Sequence, residues 1–233
     1  MIDDEKPSRA QSAWGAFDRT GVIFTPLMNR RYLRELARFR LLLTSGAHLP
    51  AERAQALAQW WETLDAIMSV HHRAMSEVFW TLLRSKGPEH DAVVTTMNTR
   101  YTLLGRSRSE ARLNLTAALR AGEPPNTAQL SFIRFHEEMS ATSSWEEREI
   151  VFRAGRLFTA AEWQQVESYV LAVQAAEGLL DHVLPWLCEG LSVDRAGQVL
   201  SALPPPMRET YLLTWLPAYQ RFSALAWPRQ QKS

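Results

Sequence analysis

The chain has 233 residues, 46% of them hydrophobic, with 26 Lys and Arg against 25 Asp and Glu for a formal charge of +1. That length and apolar share suffice for one sizeable core. The near-neutral balance argues against a dedicated nucleic-acid binder, the single cysteine, Cys188, rules out an internal disulfide, and no apolar run approaches the roughly 18 residues of a membrane span. Residues 1–9 are acidic and polar and lack the apolar core of a signal peptide. Together these point to the cytoplasm. Asn114-Leu115-Thr116 reads as a glycosylation sequon that such a location leaves unused.

Residues 1–24 read as a loosely docked lead-in. Thr25-Pro26 opens a first helix, because threonine can cap and proline at the first helical position gives up no needed N–H. Its apolar stripe is Leu33, Leu36, Phe39 and Leu43, and it stops at Gly46. A second helix opens at Pro50-Ala51-Glu52 and ends at Gly87-Pro88. Its inward positions are Trp61, Leu64, Met68, His71, Met75, Val78 and Leu82, in alternating steps of three and four. His71 therefore lies on the buried stripe, and His72 points about 100° away.

The third helix carries Val94, Met97, Tyr101, Leu104, Arg108, Ala111 and Leu115 and stops at Gly122. Pro124-Pro125-Asn126-Thr127 opens the fourth, with Phe132, Phe135, Met139, Thr142 and then Glu146 or Ile150 inward, ending near Gly155. Four long helices joined by short loops predict an all-α, up-down-up-down four-helix bundle over 25–156. The capping box Thr159-Ala160-Ala161-Glu162 starts a fifth helix. Shorter pieces follow at 179–190, 193–203 and 207–225, the last two parted by Pro204-Pro205-Pro206. Residues 157–228 are predicted to pack on the bundle as a C-terminal helical extension. No stretch alternates with the period of a strand.

Several segments resemble the hemerythrin-like family of cation-binding proteins, especially its bacterial branch. Arg34-Glu35-Leu36 is similar to the family's first-helix signature, and His71-His72-Arg73 with Glu77-Val78-Phe79-Trp80 to its second. Glu146-Glu147 followed by Thr159-Ala160-Ala161-Glu162-Trp163 resembles its fourth and fifth. Leu200-Ser201-Ala202-Leu203-Pro204-Pro205 resembles its C-terminal segment. The resemblance spans about residues 25–220. It implies a bundle holding two irons through histidines of all four helices, a bridging glutamate and a second carboxylate.

Carried onto this chain, the ligand set is mostly replaced. The first-helix histidine falls at Asn29 or Arg30. The second is kept as His71, but the glutamate four residues on is Met75. The third falls at Tyr101, one turn after Met97, and the fourth at Thr142. The following carboxylate survives as Glu147, or as Glu146 in the neighbouring register. Methionine and threonine cannot bridge two irons, and Arg30 would repel them, so the expectation is a protein without metal or other cofactor.

The emptied interior is then expected to bind an apolar or aromatic small molecule. Met75, Met97, Phe132, Phe135, Met139, Thr142 and Trp145 would line it, and Arg30 would hold a carboxylate or enolate. His71 and Tyr101 would serve as acid and base, with Glu147 orienting His71. Metal-independent isomerisation, dehydration or cyclisation is chemistry such a site suits. One rival is a regulatory or interaction protein whose former site is plugged by Glu147 paired with Arg30 or His71. Another is a single metal held by His71, Tyr101 and Glu147. His48 and His90 are expected at the surface, His136-Glu137-Glu138 on a solvated face, and Cys188 as a buried, inert thiol.

Overall fold

The computed structural model describes residues 24–46, 48–121, 126–201 and 203–228. Of the expected lead-in over 1–24, residues 1–23 lie outside them, as do the stop at Gly122 and the opening at Pro124-Pro125, while Phe24 already belongs to the first helix. Among the described residues only helices occur. α1 is Phe24–Thr44. α2 runs Ala51–Ala74, passes through a π-turn at Met75–Phe79 and continues as Trp80–Ser85. After the 3-10 turn Pro88–His90, α3 is Asp91–Ala121. α4 is Asn126–Glu146, a second π-turn at Glu147–Val151, then Phe152–Leu157. α5 is Ala160–Ala176, α6 Leu180–Cys188 and α7 Val193–Ser201. α8 is Pro205–Thr210, a third π-turn at Tyr211–Trp215, then Leu216–Ala226. No helix among the described residues is long and apolar enough to cross a membrane.

The boundaries follow local chemistry. α1 ends where Gly46 takes φ +61°, a left-handed conformation that L side chains rarely adopt. α5 starts on a complete capping box: Thr159 Oγ1 accepts the Glu162 N–H and Glu162 Oε2 accepts the Thr159 N–H.

α1 packs on α4, α4 on α3 and α3 on α2. α5 and α8 lie on α2, and α6 touches α1, α5 and α8. Tryptophan fills much of the interior: Trp60, Trp61, Trp80, Trp163 and Trp186 are all buried. Trp61 meets Phe39, Phe132 and Phe135 ring on ring. Trp186 of α6 packs on Tyr32 and Trp60.

The inward stripe departs from simple helical spacing at the π-turns. In α2 the residues buried beyond Met75 are Phe79, Trp80 and Leu83, while Val78 and Leu82 are half-buried. A π-turn absorbs one extra residue, so each later inward position comes one residue after its α-helical place. In α4, Glu146, Ile150 and Ala154 follow at steps of four across the second π-turn.

α1 also carries a dense ionic junction. Glu35 is fully buried and accepts from Arg34 Nε (3.0 Å), Arg38 Nη1 (3.0 Å) and Trp60 Nε1 (3.1 Å). Arg34 reaches on to Glu189, just beyond α6, at 2.6 Å, and Tyr219 of α8 donates to the same carboxylate at 3.3 Å. Arg31 donates twice to the Leu187 carbonyl at the end of α6, at 3.0 and 2.8 Å. A cation there complements the negative end of the helix dipole. This junction fastens α6 and α8 to α1.

Candidate functional site

A second polar cluster lies where α1, α2, α3 and α4 face one another. Glu146, the last residue of α4 before its π-turn, is 2% exposed. Its Oε2 accepts Asn29 Nδ2 of α1 at 3.1 Å, and its Oε1 accepts the Tyr101 hydroxyl of α3 at 3.1 Å. Both donors are neutral, and no ion pair to Glu146 occurs among the described residues. Burial, with the neighbouring charge of Glu147, outweighs these two bonds and moves its carboxyl up from 4.5 to about 7. Burial and the Glu146 charge in turn hold the Tyr101 phenol well above its ordinary range.

α2 supplies His71, 1% exposed and 5.9 Å from the Tyr32 ring. Among the described residues neither of its ring nitrogens has a hydrogen-bond partner. Burial lowers it from 6.5 to about 4, so at neutral pH it is an uncharged imidazole with one donor and one acceptor to offer. Each buried polar group left this way costs about 1–3 kcal/mol. The Ile67 carbonyl, one turn before His71, accepts from Tyr32 Oη (3.4 Å) and Gln174 Nε2 (3.2 Å), which ties that turn to α1 and α5. Next to it, the His72 ring lies on the Tyr101 ring, centroids 4.2 Å apart and 18° from parallel. The π-turns of α2 and α4 begin just after this level, at Met75 and Glu147, and such turns recur at functional sites.

The inward positions differ by one residue from two of those expected. Arg30 is exposed and Glu147 half-buried, with Arg30 opposing the upward push of burial on the Glu147 carboxyl. Their places inside are taken by Asn29 and Glu146. One residue of helix turns a side chain by about 100°, enough to move a cation from the interior to the rim. Thr142 is buried one turn before Glu146.

Trp145 is half-buried on the rim, where the Arg100 guanidinium lies 4.8 Å from its ring. Phe132 and Phe135 belong to the aromatic packing around Trp61, about 21 and 16 Å along α4 from Glu146. Met75, Met97 and Met139 are buried in the core. His90, expected at the surface, is buried because the 3-10 turn folds it against α3 and the end of α2. Cys188 is buried as expected. His72 and Asn29 are the participants the sequence left in the background. The i, i+1 pairing of His72 with an inward His71 was the available signal for the first.

Among the described residues no three His, Cys, Asp or Glu side chains gather. Two imidazoles on one helix, one carboxyl, an amide and a phenol do not fit a pair of irons, which needs imidazoles from several helices and bridging carboxylates. What the cluster can do is hold and pass a proton. When Glu146 is protonated, its O–H can donate to Tyr101 Oη, and the phenol O–H is then turned to whatever lies beyond it. No family model, no curated protein and no solved structure matches this chain.

Proposed function

We propose that this chain is a hemerythrin-like four-helix bundle whose di-iron ligands have been replaced, and that it binds a small molecule and performs acid–base chemistry through Tyr101 and Glu146 without a metal. The observation that carries this reading is Glu146. A buried carboxyl on neutral donors, titrating at about 7, is poised between acid and base at neutral pH. The resemblance is supported by position. Asn29, His71, Tyr101 and Glu146 come one from each of α1 to α4, close to the places where the family carries ligands.

In the forward direction Tyr101 gives its phenolic proton to a basic atom of the bound molecule and takes the Glu146 proton in the same motion, leaving Glu146 ionised. The reverse transfer returns it. His71, neutral and without a hydrogen-bond partner among the described residues, is the second group able to donate or accept.

Carbon-detected NMR of glutamate side chains tests this. One carboxyl is expected to titrate near pH 7, to disappear in Glu146→Gln and to move higher in Tyr101→Phe. A Glu146 midpoint in the ordinary range of about 4 to 5 sinks the reading.

The rival, a non-catalytic interaction protein with a plugged site, draws on the close burial of Met75, Met97 and Met139. It expects the His71 and Tyr101 ring signals to stay unmoved across a small-molecule fragment screen, whereas the acid–base reading expects specific shifts.

A further inference from the structure

A surface groove of about 360 Å³, lined in part by Tyr101, runs between α2 and α3. From Asn98 to Arg108 it follows α3 for about 15 Å, a length and volume suited to a small organic molecule. His72 and Tyr101, whose rings stack, form part of its lining, so the residue that bonds Glu146 also borders the groove.

The chemistry of the lining is one-sided. Arg73, whose guanidinium is ion-paired with Glu177, and Arg108 line the groove, and no carboxylate does among the described residues. Arg108 is braced by Asp65, Nε to Oδ1 at 3.1 Å, which orients its guanidinium without occupying the groove. The lining hydroxyls have spent their protons on their own helices: Ser69 donates to Asp65 O, Ser76 to His72 O and Thr102 to Asn98 O. Their remaining lone pairs are acceptors. The groove therefore offers cationic donors together with a row of acceptors.

Gly105 adds an independent observation. It sits in the middle of a 31-residue helix, lines the groove, and a Cβ built on it would meet nothing within 4 Å. Glycine in a helix interior costs about 0.5–1 kcal/mol relative to alanine. The fold gives no packing reason for that cost, and the missing side chain widens the groove beside Arg108.

We propose that this groove is the ligand site and that it takes a small carboxylate bearing a hydroxyl or N–H donor, with the carboxylate on Arg108 and the body of the molecule over the His72–Tyr101 stack. The proton exchange assigned to it rests on the acid–base reading of Tyr101 and Glu146; the binding does not.

The test is a titration of the full-length, 15N-labelled chain with 4-hydroxybenzoate and with its neutral isostere 4-hydroxybenzamide. Saturable amide shifts are expected at Tyr101, Gly105 and Arg108, with a dissociation constant on the order of 1 mM. The amide is expected to bind at least about fivefold more weakly, for want of the charge-assisted bond. Arg108→Gln should weaken 4-hydroxybenzoate by a similar factor, and Gly105→Leu should abolish its binding while the rest of the spectrum stays folded.

No saturable shift up to about 20 mM, equal binding of acid and amide, or undiminished binding to both variants overturns the proposal. The Glu146 midpoint, read without ligand, separates the two readings. Shifts without a near-neutral Glu146 retain the groove and remove the acid–base chemistry. A near-neutral Glu146 without shifts does the opposite.

Discussion

Glu35 and Glu146 are sealed inside the same helices and are held in opposite ways. Glu35 has two guanidinium partners and an indole donor, reaching it from α1 and α2. Glu146 has an amide and a phenol. A buried carboxylate beside cations is a fixed charge whose worth lies in holding helices together. A buried carboxyl on neutral donors is not fixed in charge, and its proton is available. The difference separates a fixed charge from an available proton within one interior: burial alone marks neither, and the charge of the partners distinguishes them.

The largest effect should come from the fastening end. Glu35→Ala leaves Arg34, Arg38 and the Trp60 indole without their shared acceptor. Urea unfolding should show a loss of about 3 kcal/mol. A loss below about 1 kcal/mol would mean the junction does not hold α6 and α8 to α1, and the contrast with Glu146 would collapse.

Glu146→Gln should act through pH. The folded carboxyl lies at about 7 against 4.5 when unfolded, so the folded chain binds the extra proton between those values. Stability from this group is therefore intact below about pH 4.5 and is lost as pH rises to about 7, by about 3 kcal/mol at most. His71 works the other way: its folded value of about 4 lies below 6.5, so its contribution is complete above about 6.5 and is lost as pH falls toward about 4. Between about 4.5 and 6.5 the two slopes oppose each other. Unfolding curves for the wild type should be flatter there than for Glu146→Gln, which should gain stability steadily with rising pH. Parallel curves for the two proteins would show that Glu146 titrates in the ordinary carboxyl range and would remove the contrast.

Tyr101→Phe sharpens the contrast further. It removes one of the two bonds that favour the ionised carboxylate, so the Glu146 midpoint should rise above 7, with a stability loss of about 1 kcal/mol. An unmoved midpoint would show that the phenol is not coupled to the carboxyl. The smallest effect belongs to the groove face. Gly105→Ala should stabilise the chain by about 0.4–1 kcal/mol, seen as a higher urea midpoint. A destabilised variant would show that the fold itself requires the glycine.

Much of the helical plan could be read from punctuation. Thr159 to Glu162 opens α5 through local bonds alone, and Gly46 ends α1 because the backbone there needs a positive φ. The inward places of His71, Thr142, Met75 and Met97 followed from their three-and-four spacing. The contrast between Arg30 and Asn29, and between Glu147 and Glu146, did not, because periodicity over one short helix leaves a one-residue phase open. The shift from Val78 to Phe79 had no sequence signal either, since an i→i+5 turn uses ordinary residues.

The Glu35 junction was illegible for another reason. Its extended partners, Glu189 and Tyr219, stand far away in the chain, and their meeting is a property of packing alone. Of the tryptophans, only Trp145 was expected to line a pocket. Five of them are packing, because a large indole fills the space between helices of this width.

The π-turn in α2 makes the chain unequally sensitive to changes of length. Removing one residue from the exposed pair Ser76 and Glu77 would convert Met75–Phe79 to ordinary α-helix, and Phe79, Trp80 and Leu83 would keep their facing. The same deletion beside Leu64, in regular helix, would swing everything beyond it by about 100° and turn His71 out of the interior. The turn is thus a place where a residue can be gained or lost while the cluster behind it stays assembled.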